Sequence, residues 1–122
     1  MHVPVPPLLS TISQLPCNFV LRLRDSVSEL CARSAAFNMH GTTKNKEENL
    51  LRIHELCTRI ELLLNPNEED HNDFLEEVRN VQSTVNSNIP DQNDIFWAAE
   101  KEVRIKVKGI LKREWERVKT EI

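Results

Sequence analysis

Apolar residues recur every three or four positions along four stretches of this chain, the spacing that lines one face of an α-helix. In the first stretch the seam is Val20, Leu23, Val27, Leu30, Ser34 and Phe37, a heptad-like pattern that predicts a helix from about Cys17 to Phe37. Phe19 and Leu21 widen its apolar side, and Arg22, Arg24, Asp25, Ser28, Glu29 and Arg33 take the outer face. The second seam, Leu50, Ile53, Cys57, Ile60 and Leu64, is flanked by Leu51, Leu56 and Leu63 and predicts a helix from about Lys46 to Asn65. A face that wide predicts two neighbouring helices against it. The third seam, His71, Phe74, Val78, Val81 and Val85 with Leu75 beside it, predicts a helix from about Glu68 to Val85.

The fourth stretch, Asp91 to Ile122, has no proline and a single glycine, Gly109. Asp94 offers an N-cap oxygen just after Pro90, and Phe96, Ala99, Val103, Val107, Ile110, Leu111, Trp115, Val118 and Ile122 fall at helical spacing. Both tryptophans, Trp97 and Trp115, lie here. The pattern reaches the last residue without a stop signal, so the expectation is either a longer parent protein with this as its N-terminal domain, or an end that pairs with another chain.

The segments between are turn-forming. Residues 1–16 form a Pro-rich arm: Met1 to Pro7 carries three prolines and reads as extended, and Leu8 to Leu15 as a short helix or turn that Pro16 ends. Asn38 to Asn45 is a polar loop in which Gly41 is the residue expected at positive φ. Asn65-Pro66-Asn67 ends the second helix, and Asn67 or its neighbour caps the third, with Glu68, Glu69 and Asp70 in the first turn where the helix dipole favours acids. Ile89-Pro90 separates the third helix from the fourth. The predicted fold is therefore all-α: an up-down helical bundle of three to four main helices over residues 17–122, with the Pro-rich N-terminal arm and a long C-terminal helix.

Composition agrees, since only two glycines and no tyrosine appear among 122 residues. Three cysteines, Cys17, Cys31 and Cys57, form no CxxC and read as reduced, buried, small hydrophobes. No stretch approaches the ~20 apolar residues of a membrane span, and Met1 to Gln14 lacks the basic start of a signal peptide. The expected location is intracellular, cytoplasmic or nuclear. Charge is distributed unevenly. Glu47 to Asp94 carries twelve acids and three bases, whereas Arg104 to Lys119 carries seven bases and two acids. The acidic middle helices are thus expected to face the basic final helix.

Few residues suggest chemistry. His2, His40, His54 and His71 show no i, i+4 pairing, so no metal or cofactor is expected; His71 in its acidic turn reads as part of a solvated helix start. His54 and Cys57 stand one turn apart, but the seam position of Cys57 predicts a buried, inert thiol and no catalysis. Two glycines cannot build a phosphate-cradling loop. The fourth helix is different, because Trp97, Ile105, Trp115 and Ile122 depart from the band that a bundle would bury. Large aromatics on a second face resemble interface anchors. The predicted function is a non-enzymatic protein–protein interaction module, serving dimerisation, an adaptor or a scaffold. It would bind a protein partner or a second copy by helix packing, through Trp97, Arg104, Ile105, Lys108, Lys112 and Trp115. The alternative is nucleic-acid or anionic-surface binding through the stripe Lys101, Arg104, Lys108 and Lys112, against which stand the interleaved glutamates and the net charge of −3.

Overall fold

The four periodic stretches are four helices: α1 (Pro6–His40), α2 (Lys46–Leu63), α3 (Glu69–Ser87) and α4 (Asn93–Glu121). The computed structural model describes residues 6–40, 46–87 and 93–121, with side chains over 18–39, 46–87 and 93–120. The loop expected at positive φ (Gly41), the Ile89-Pro90 break, Ile122, the Cys17 side chain and the opening of the arm lie outside those residues.

Side-chain pairs fix the directions. Between α1 and α2, Glu29 meets Arg52 at 2.7 Å and Arg33 meets Asn49 at 3.3 Å. Between α2 and α3, Glu61 meets Arg79 and His54 meets Gln82 at 3.1 Å. Between α3 and α4, Asp70 meets Arg113 and Glu77 meets Lys106 at 3.4 Å. Between α4 and α1, Asn93 meets Asn38 and Glu100 lies beside Cys31. In every pair one residue number falls as the other rises, so sequence neighbours and the α1/α4 pair all run antiparallel. α1 and α3 touch across one diagonal, while α2 and α4 do not meet. This is an up-down four-helix bundle.

The seams meet at its centre. Leu23, Leu30, Ile53, Leu56, Ile60, Phe74, Phe96 and Ile110 are fully buried. Each such side chain stabilises the fold by roughly 1.5–3 kcal/mol relative to leaving it in water. All five seam residues of α3, His71 included, are buried. Trp115 is exposed, on the second face of α4 and outside its buried stripe, and Leu21 and Leu51 face solvent beside seams that are already filled.

Two further differences concern helix ends. α1 continues through Pro16, where a stop was predicted. Proline has no N–H, so the helix forgoes the one bond that residue 16 would donate to the Ile12 carbonyl. At the other end α1 runs to His40, into the predicted loop.

The turn from α2 to α3 is organised by Asn65 rather than Asn67. The Asn65 side-chain oxygen accepts the Asn67 N–H at 3.0 Å, and its carbonyl accepts the Glu68 N–H at 3.1 Å. Pro66 cannot continue α2, and its carbonyl accepts the Asn72 side-chain amide at 3.0 Å. Glu68 occupies the cap position, its carbonyl taking the Asn72 N–H that opens α3.

Candidate functional site

α4 presents three kinds of surface. Its core stripe, Phe96, Ala99, Val103, Val107, Ile110 and Val118, is buried. Its α3 flank carries Lys106, Arg113 and Arg117, each paired with a carboxylate. On its α1 flank stand Trp97 and Trp115, 39% and 44% exposed. These two are eighteen residues apart, or five full turns of a 3.6-residue helix, so they lie on one line about 27 Å long. Arg104 and Lys108 fall within about 20° of that line, Lys101 within about 40° and Lys112 within about 60°. Ile105, 51% exposed, stands about 80° further round. All six expected contact residues are therefore on the surface, with Ile105 at the margin of the group.

The tryptophans are positioned locally. Trp97 rests edge-on against the buried Phe96 ring, 4.9 Å between centroids. Lys119 lies over the Trp115 ring at 6.0 Å. Arg104 is held by Glu100, Nε donating to Oε1 at 2.8 Å. Glu100 is itself buried, and its second oxygen has no hydrogen-bond partner among the described residues. Lys101, Lys108 and Lys112 have no carboxylate within salt-bridge distance among the described residues.

Beside this line α1 and α4 part to leave a groove of about 260 Å³. Its floor is Val27, Cys31, Val107 and Leu111, and Arg24, Ser28, Arg104 and Lys108 form its rim. The floor is apolar and the charged rim groups are all cationic. Sequence reasoning missed the α1 half. The spacing places Arg24 and Ser28 on the outer face of α1, and nothing in one helix's periodicity reports how far its neighbour stands from it. Burial, reinforced by the negative Glu100, pushes the Cys31 thiol up to about 12. Burial likewise pushes the Cys57 thiol up to about 11. His54 is exposed and its Nδ1 meets Gln82, so it turns away from Cys57, which is buried.

A second cluster stands at the start of α3. Glu68, Asp70 and His71 bring ligand-type atoms within 4.8 Å of one another. His71 is not the solvated residue expected, being 3% exposed and stacked on Phe19 with ring centroids 5.9 Å apart. Its Nδ1 accepts the Asn65 N–H at 2.9 Å. In the neutral ring the proton must then sit on Nε2, the nitrogen 3.2 Å from Glu68 Oε2. A metal-bound histidine donates from its second nitrogen, and this one accepts there. Both carboxylates are also engaged by Arg113, and Glu68 by Arg117 as well. The cluster is an ion-pair network that closes the α3/α4 seam, and its chemistry does not suit a cation.

No family model, no curated protein and no solved structure matches the chain at a significant level. Among the described residues, no helix is long and apolar enough to cross a membrane.

Proposed function

We infer that the chain is a non-enzymatic protein-interaction module, an adaptor, scaffold or dimerisation domain, working through the α1 flank of its last helix. The observation that carries this is the line Trp97 to Trp115. Two large aromatics five turns apart are half in solvent, with lysines around them that meet no carboxylate among the described residues, on a helix whose core stripe is already buried. Aromatic anchors ringed by polar groups are the usual energetic centre of a protein interface. Free Cys31 and Cys57 suit a reducing compartment, the cytoplasm or the nucleus.

The test is affinity purification with the wild-type chain and with a Trp97→Ala, Trp115→Ala double variant of unchanged helical content. Partners recovered only by the wild type support the module; identical recoveries sink it. The uncompensated Lys101, Lys108 and Lys112 favour a second reading, binding to nucleic acid or an anionic surface. Retention on mixed RNA or DNA that falls steeply with salt would favour it.

A further inference from the structure

We propose that the groove between α1 and α4 receives one acidic amphipathic helix from a partner protein. This rests on the binding-face reading and names the occupant of that face. Charge complementarity selects an acidic partner. Arg24, Arg104 and Lys108 rim the groove, and Lys101 and Lys112 extend the positive strip. Among the described residues only Asp25 and Glu100 answer it: the first meets Arg24 at 3.7 Å, and the second is buried under Arg104. A partner carboxylate therefore finds Lys108 and Lys112 unengaged.

Shape selects a helix over a flat anionic surface. The floor residues Val27 and Val107 are buried below the rim, and Cys31 and Leu111 are half-buried. A concave apolar floor takes side chains inserted at i, i+3 or i+4, and i+7, the anchors of a helix laid in a groove. A bilayer surface or a phosphate backbone reaches the lysines without using that floor. Trp97 and Trp115 bracket the groove, and Leu21, also exposed, lies one turn before Arg24 on α1. The bracketed length of about 27 Å corresponds to a partner helix of about eighteen residues.

The experiment is selection of a phage-displayed library of randomised helical 20-mers against the intact chain. Affinities of the enriched peptides are then measured by fluorescence anisotropy on three variants of unchanged helical content. Ser28→Phe fills the groove from its rim, Lys108→Glu with Lys112→Glu inverts the strip, and Trp97→Ala with Trp115→Ala removes the brackets. The expected peptides combine Glu or Asp with apolar residues at helical spacing, and lose tenfold or more on both Ser28→Phe and the charge inversion. If Ser28→Phe does not fold, the surface lysine pair alone carries the test. Neutral or basic peptides would overturn the proposal. So would peptides that survive Ser28→Phe yet fail on the tryptophan variant, an outcome that keeps α4 as a binding face and removes the groove. Failure to enrich any peptide, with binding instead to a 20-nucleotide RNA or to phosphatidylserine vesicles, overturns the groove and the protein-module reading together. A mass of two copies in light scattering that Ser28→Phe reduces to one assigns the groove to a second copy, and also overturns the proposal.

Discussion

The two flanks of α4 are made from similar residues and end in opposite states. Towards α3, Lys106, Arg113 and Arg117 find Glu77, Asp70 and Glu68, and the seam is closed by charge as well as by Val78 and Val81. Towards α1, Arg104 and Lys108 meet Arg24 across an apolar floor, and cations stand on both sides. Adding a neighbour therefore neutralises one flank and concentrates charge on the other. A basic helix in an acidic protein is not automatically a binding surface. On the α1 side Asp25 meets Arg24 and, among the described residues, no acid of α1 reaches Arg104, Lys108 or Lys112.

Substitutions should separate the two flanks. The largest effect is expected at the closed end of the bundle, where His71→Ala removes a buried ring and the acceptor of the Asn65 amide. A loss of about 2–4 kcal/mol should appear in urea denaturation, and a loss under about 0.5 would contradict the hydrogen bond described. Next comes the direct contrast: Arg113→Ala leaves Glu68 and Asp70 without their main cation and should cost about 1–2 kcal/mol. Lys108→Ala on the open flank should change stability by less than about 0.5 kcal/mol. Equal costs for the two would erase the distinction. Gly109 has open space where a Cβ would stand, so Gly109→Ala should stabilise the fold by about 0.5–1 kcal/mol through α4 alone, seen as a higher melting temperature.

A further effect is set by pH. Two short bonds from the Arg52 guanidinium, opposed by partial burial and assisted by Arg33, hold the Glu29 carboxyl down to about 2 from its usual 4.5. A carboxyl depressed in the folded state contributes stability above about 4.5, and that contribution disappears as pH falls from there towards about 2. With the pair partly in solvent the contribution stays below about 1 kcal/mol. Glu29→Gln should therefore flatten the acid limb of a stability profile between those values.

Much of this was legible in the chain itself. The seams His71, Phe74, Val78, Val81, Val85 and Leu23, Val27, Leu30 are buried as their spacing predicts, because a 3.6-residue period translates directly into a face. Helix partnership was legible only in part. Net charge pointed α4 at both acidic helices, yet it packs on α3 and not α2, which lies across the diagonal. Two of the four acids of α2 are used elsewhere: Glu55 by Arg52 and Arg59, Glu61 by Arg79. The site divides in the same way. Trp97 and Trp115 follow from one helix's period, whereas the groove arises from the separation of two helices and has no counterpart in either one's pattern.

The bond from Asn65 to His71 has a consequence for the timing of local opening. Asn65 sits in an exposed turn, where a backbone amide ordinarily exchanges its hydrogen with solvent within moments. Its acceptor is a ring sealed between α3 and Phe19. That amide can be released only when the core end of the bundle opens, so in deuterium oxide it should exchange as slowly as amides in mid-helix. A single loop residue then serves as a clock for the opening of that end of the bundle.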